Sequence, residues 1–199
     1  MIDTLQALRE RYPPAHGRSV AKQLDRLDRH CEAFIALSPF VVLATGGSGE
    51  MDASPRGGPP GFVKVTADGS LLLPDSAGNN RLDSLSNLVE NGKIGLLFLV
   101  PGVDETLRVN GRAQLSEDRV LVALFAGEKR PPKLVIEVTV REAYLHCAKA
   151  LMRARLWDPA NRLPRTVLPT MGQMLADHTG STEKPETQQE MEARYAKDL

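Results

Sequence analysis

The sequence predicts a mainly β protein of the α+β class, an antiparallel barrel with helices on its periphery. Short apolar runs are joined by turns or single short helices, with two hairpin-like links and few long crossovers. That is the connectivity antiparallel strands use. A doubly wound parallel sheet would need a helix after nearly every strand, and that alternation is missing. At 199 residues and 42% apolar, the chain can bury one core with short appendages.

The elements follow in order. AKQLDRLDRHCEAFIALS, residues 21–38, sets Leu24, Leu27, Cys31, Phe34 and Ile35 at helical spacing and predicts one amphipathic helix. PFVVLATGG is a buried strand stopped by glycines. GFVKVTADGSLLLP offers two strands around Asp68-Gly69, a strong hairpin signal. Next, LLLPDSAGNNRLDSL reads as strand, turn and helix. Asn80 is expected to cap that helix, with Asp83 three residues later as a weaker capping box. The helix should run over 81–90 with Leu82, Leu85 and Val89 on one face, and end at Asn91-Gly92. KIGLLFLVPG predicts an apolar strand, and ETLRVNGRAQLS a longer one with mixed faces. EDRVLVALFAG predicts a short helix, PKLVIEVTVREAYLH a long strand ending at His146, and CAKALMRARLWDP a helix ended by Pro159. From about residue 179 the chain turns polar, as a mobile or partner-docked helical tail. The expected organisation is one domain over 1–179, opening with a helical segment, and a tail over 180–199.

Composition narrows the function classes. Twenty-five Lys and Arg balance 25 Asp and Glu, whereas nucleic-acid binders carry a basic excess. The start, MIDTLQALRERYPP, lacks a signal-peptide pattern, and Pro39 splits the longest apolar run, AFIALSPFVVLAT. A cytoplasmic protein with no membrane and no nucleic-acid partner is expected. Cys31 and Cys147, the two cysteines, form no CxxC and read as reduced thiols. His16, His30, His146 and His178 show no ligand spacing, so no metal is expected. His146, at a strand end, reads first as a hydrogen-bonded structural histidine; Cys147 reads as a packed thiol, and Trp157 as a core or interface anchor. No Ser-His-Asp order, Walker loop or GxGxxG after a strand is present.

One residue resists a purely structural account. A helix over 81–90 would put Arg81 in the first turn, where exposed N–H groups disfavour a cation. Upstream, DASPRGGPPGF carries Arg56 beside glycines and a serine. If consecutive strands are neighbours, Arg56 approaches the turn from Pro74 to Arg81. The two arginines, the Asn79 and Asn80 amides and helix N–H groups would then converge into a phosphate site. The alternative leaves Arg81 in water or paired with Asp83 or Asp75. Both stay open at this level.

The runs SPRGGPPGFVKV, LLLPDSAGNNRLDSLSNL and KIGLLFLVPGVDETLRVNGRAQL, with the ending HCAKALMRARLWDP, resemble the pyridoxamine 5'-phosphate oxidase-like flavoproteins. The closer likeness is to their bacterial branch of FMN-dependent enzymes, over residues 30–160, and DSAGNNRLDSL is its most specific part. The resemblance implies a six-stranded split β-barrel that forms a homodimer with FMN at the subunit interface. It also implies roles. Ser54 and Arg56 would meet the FMN phosphate or ribityl chain, and Asp75 and Ser76 the flavin ring. Asn79, Asn80 and Arg81 would hold the phosphate, while Thr106 and Arg108 would reach across from the partner subunit. Lys149, Arg153 and Trp157 would supply flavin-edge and substrate contacts, and His146 at its strand end could contact the flavin. The pattern departs from the oxidase at two points: one arginine stands where that enzyme spaces an arginine and a lysine, and Arg155-Leu156 precedes Trp157-Asp158-Pro159 in a different order. The resemblance therefore supports FMN more than it supports pyridoxamine phosphate as substrate.

The leading expectation is an FMN-dependent oxidoreductase acting on a small organic substrate, with NAD(P)H or oxygen as redox partner. The flavin carries the hydride or electrons, and Arg108, Lys149 or N–H groups at Asp75 and Ser76 could stabilise its reduced form. A non-catalytic flavin- or haem-binding carrier or sensor is the alternative from another class. A deazaflavin-dependent reductase on the same fold ranks third, because its acidic tail would want more cations than Arg56 and Arg81.

Overall fold

The computed structural model describes residues 1–15, 17–48, 50–76 and 78–197. Seven strands form one antiparallel sheet: β1 (Phe40–Gly46), β2 (Met51–Gly57), β3 (Lys64–Val65), β4 (Leu71–Pro74), β5 (Lys93–Leu99), β6 (Thr106–Ser116) and β7 (Val135–His146). Their order is β2-β1-β5-β6-β7-β4-β3. The sheet curls into a split barrel. The count is seven rather than six, because the short hairpin β3–β4 adds a two-residue edge strand. That hairpin turns at Asp68-Gly69 as expected, with Gly69 at φ 82°.

Alternation along the strands builds the core. Val41, Leu43, Leu96, Phe98, Leu107, Val109, Ile136 and Val138 are all buried, joined by the alternate residues Leu71 and Leu73 of β4. Leu72 faces the other way and forms a smaller cluster with Phe125 and Val135. A bulge at Asn110/Gly111 bends β6 against β7, and a Cβ at Gly111 would lie 2.3 Å from the Thr139 carbonyl. Only glycine fits there.

Eight α-helices lie around the sheet among the described residues. Two short ones, α1 (Leu5–Arg9) and α2 (Arg18–Ala21), precede α3 (Arg29–Leu37). The single helix expected over 21–38 is thus halved. Asp28 caps α3, accepting hydrogen bonds from the His30 and Cys31 N–H groups at 3.0 and 2.9 Å. Upstream, Leu24 leaves the helical path and exchanges backbone hydrogen bonds with Ala143 of β7, at 3.0 and 2.9 Å. Sheet pairing and a strong cap together override the helical period. Leu27, Cys31 and Ile35 still face the core.

After β4 comes α4 (Asp83–Asn91), which packs on β1, β2 and β6. It ends at Gly92 as expected, at φ 63°, where a Cβ would meet the Ala113 carbonyl at 2.9 Å. Its buried face carries Ser84, Leu85 and Leu88, whereas Leu82 and Val89 are exposed, contrary to the face expected from spacing. Helix α5 (Arg119–Ala123) leads from β6 to β7. Beyond β7, α6 (Lys149–Ala154) stops at Arg155, which adopts φ 47°, before reaching Pro159. Pro159 instead opens a 3₁₀ turn capped by Asp158. The last helices, α7 (Met171–Thr179) and α8 (Gln188–Tyr195), pack together, and Thr187 and Glu190 form a capping box on α8. Among the described residues, no helix is long and apolar enough to cross a membrane.

Candidate functional site

The split in the barrel holds the site. Strands β2 and β4 stand far apart in the sheet order, yet β2 and the turn that follows β4 meet at one cleft of about 530 Å³. On β2, Asp52, Ser54 and Arg56 are half-buried, while Met51, Ala53, Pro55 and Gly57 between them face solvent. Strand alternation is the reason. Their register partners on β1 are Thr45, Leu43 and Val41, all buried, so the cleft floor continues the core surface.

The opposite wall is the turn after β4. Asp75 is half-buried and its N–H donates to the Leu134 carbonyl at 3.1 Å, which pins the turn to the approach of β7. Burial raises the proton affinity of its carboxyl above the ordinary aspartate range, and the nearby Arg56 and Lys133 charges only partly oppose this. Ser76, Asn79, Asn80 and Arg81 line the same cleft.

The helix start differs from the expectation. Asn80 does not cap α4, and Arg81 is not in its first turn. Asn80 and Leu82 both adopt left-handed backbone, each at φ 59°, so the helix begins at Asp83. No side chain caps it. The Asn79 side-chain oxygen instead accepts from the Arg81 N–H at 3.1 Å. An acidic residue now stands in the first turn, where the dipole favours it. The Arg81 guanidinium bonds to Asp83 at 2.6 Å and is 78% exposed, so the structure realises the ion-pair alternative. Ser84 donates to the Asp52 carboxylate and ties this helix start to β2. Leu82 is the costly residue, since a leucine in this backbone region is strained.

Arg56 contrasts with Arg81. It is half-buried, and its guanidinium makes no hydrogen bond or ion pair among the described residues. Asp75 is the carboxyl that senses its charge. Five donors left unused in a concave polar site are the chemistry of an anion receptor.

Seven expected residues therefore meet in one cleft: Ser54, Arg56, Asp75, Ser76, Asn79, Asn80 and Arg81. Five others do not. Thr106 is buried opposite His146. Arg108 is exposed on the same strand and donates to the Tyr144 hydroxyl at 3.1 Å. Arg153 donates to the Lys149 carbonyl at 3.0 Å, and the Trp157 indole N–H to the Val103 carbonyl at 2.9 Å. The cleft also recruits Arg130 and Lys133, which no local motif marks as site residues. Their signal was RPPK just before the long strand, but its relevance depends on β7 pairing with β4. His146 packs its ring 5.0 Å from Tyr144, and burial, then Lys22 and Arg108, lower its pKa. Among the described residues, no cluster of His, Cys, Asp and Glu could hold a metal ion, and His16 lies outside them.

The chain is similar to several solved structures. A HupZ variant from Group A Streptococcus is 16% identical over 60% of this chain and 98% of its own, with a TM-score of 0.51. General Stress Protein 26 from Bacillus anthracis is 17% identical over 58% of this chain and 93% of its own, with a TM-score of 0.42. An FAD binding protein from Mycobacterium smegmatis is 13% identical over 62% and 97%, with a TM-score of 0.44. At such identities the likeness concerns the fold alone. Among curated proteins, no sequence matches the chain. The model of the pyridoxamine 5'-phosphate oxidase family, however, matches residues 27–147, which span the whole sheet and the cleft. The chain belongs to the pyridoxamine 5'-phosphate oxidase family.

Proposed function

We propose that the protein is an FMN-dependent oxidoreductase acting on a small organic substrate, with NAD(P)H or oxygen as its redox partner. The observation that carries this is the half-buried Arg56 guanidinium, which faces the cleft without a hydrogen bond or ion pair among the described residues. Ser54 and the Asn79 and Asn80 amides line the same space. Together they fit a phosphate monoester better than a neutral ligand. Arg81 would join by exchanging Asp83 for the phosphate, and its exposure makes that exchange easy.

When bound, FMN would supply hydride or electron transfer through its ring. The remaining work belongs to the chain. Arg56, Ser54 and the asparagines would fix the phosphate and so orient the ring toward Asp75 and Ser76. Asp75 would hold a proton to higher pH than a solvated aspartate, because burial disfavours its charge. Thr106, Arg108, Lys149, Arg153 and Trp157 lie outside this cleft on the same chain. A homodimer with FMN at the interface would offer them a route to the partner's flavin.

Affinity for FMN against riboflavin is the test, read by quenching of flavin fluorescence. Each charge-assisted hydrogen bond contributes about 1.5–3 kcal/mol, so two lost bonds should weaken riboflavin by about a hundredfold or more. Equal affinity would remove the phosphate from this cleft. Bleaching of bound flavin by NAD(P)H would then separate an enzyme from a carrier.

A further inference from the structure

A second cavity, of about 720 Å³, adjoins the first and shares Ser76 and Arg130 with it. Its volume lies within the usual range for small-molecule sites, about 300–1,000 Å³. The lining is largely apolar. Pro59, Pro60 and Phe62 come from the segment after β2, Pro74 closes β4, and Leu124 and Phe125 follow α5. Both phenylalanines are buried. The wall is stiff as well: the two prolines fix their φ angles, and a Cβ at Gly58 would lie 2.7 Å from the Phe62 Cβ, so that segment lies close against the phenylalanine.

One cation stands out in this setting. Lys64 is half-buried, with its Nζ 5.1 Å from the centroid of the Phe125 ring. It makes no hydrogen bond or ion pair among the described residues. Lys129, in contrast, donates to the Ala196 carbonyl at 2.9 Å at the end of α8. The cavity's carboxyl, Glu128, is half-buried, and burial raises its pKa while Lys64 pulls it back. An ammonium held over an aromatic ring and partly withdrawn from water gains more from an anion than a solvated lysine does. Flat apolar walls beside the half-buried Lys64 ammonium, with Lys129 and Arg130 also on the lining, suit a planar acid; a compact, fully hydrated anion would leave most of that wall unused.

We propose that this cavity binds aryl carboxylates, with the ring among Phe62, Phe125 and the two prolines and the carboxylate paired with Lys64. The proposal deepens the oxidoreductase reading by naming a substrate class beside the cofactor cleft. It rests on that reading for catalysis, not for binding.

Calorimetric titration of the full chain, with and without saturating FMN, tests it with three probes: naphthoate, naphthalenemethanol and acetate. Naphthoate should bind about tenfold or more tightly than the alcohol of the same shape, and acetate should not bind measurably. Lys64→Gln should erase that preference, Lys64→Arg should keep most of it, and saturating FMN should leave naphthoate binding intact. Equal affinity for acid and alcohol would overturn the proposal, as would a preference that survives in Lys64→Gln. So would exclusion of naphthoate by FAD but not by FMN, because the cavity would then house the larger cofactor's nucleotide. Loss of FMN binding with the naphthoate preference intact would sink the flavin reading alone and leave the cavity assignment standing.

Discussion

Neighbouring strands β1 and β2 pair over seven residues and present the same face of the sheet, yet they serve opposite ends. On β1 that face carries Val41, Leu43 and Thr45, all buried. On β2 the residues directly opposite are Arg56, Ser54 and Asp52, all half-buried. One step across the sheet, about 4.8 Å, converts packed core into polar cleft. The barrel's centre is thus fixed by burial, and its open edge by groups with incomplete partners. Stability and binding should separate along that line.

The largest effect should come from the central side. Phe98 is fully buried in β5 opposite Val41. Phe98→Ala should cost about 3–5 kcal/mol of stability, read by denaturant unfolding of the apo protein. A loss below about 1 kcal/mol would mean the barrel centre is looser than its burial implies.

Across the line, Arg56→Ala should leave apo stability within about 0.5 kcal/mol while weakening FMN by about tenfold to a hundredfold. Arg81→Ala should weaken FMN less, because that guanidinium must first give up Asp83. Paired melting curves with and without FMN check both, since the ligand-induced shift follows affinity. A larger loss at Arg81 than at Arg56 would reverse the assignment of the principal phosphate ligand.

How far the sequence showed this division depends on whether the cause is local. The apolar alternation of PFVVLATGG and KIGLLFLV marks β1 and β5 directly, and Asp68-Gly69 and Asn91-Gly92 punctuate the chain where they should. Arg56 and the segment from Asp75 to Arg81 were also legible, because turn chemistry and charge lie within a few residues. The helix start was not. A leucine at 82 gives no turn signal, yet it adopts φ 59°. Arg130 and Lys133 enter through the long-range pairing of β4 with β7, which no local pattern records. For the same reason the helix of residues 21–38 was overextended: the claim of Ala143 on Leu24 comes from 119 positions away.

The smallest predicted effect sharpens the comparison at Asp75. Burial raises its pKa, so its ionised form is less favourable folded than unfolded. That penalty is present above the folded pKa and is relieved as pH falls through it. Asp75→Asn should therefore raise the melting temperature slightly at pH 7, and the gain should vanish on acidification through the wild-type pKa. A gain that is independent of pH would assign the effect to packing instead.

The placement of the cleft on β2 also bears on how the molecule avoids its own kind. Among the described residues β1 is this strand's one partner in the sheet, so its other edge is open to a stray strand, the usual seed of edge-to-edge aggregation. Pro55 lies within it and offers no N–H, and Asp52 and Arg56 put charge on its inward face. An incoming strand that tried to complete the barrel there would have to bury both charges. The residues that make the cleft polar thus also put charge against the open edge, and replacing them with apolar ones would remove both features at once.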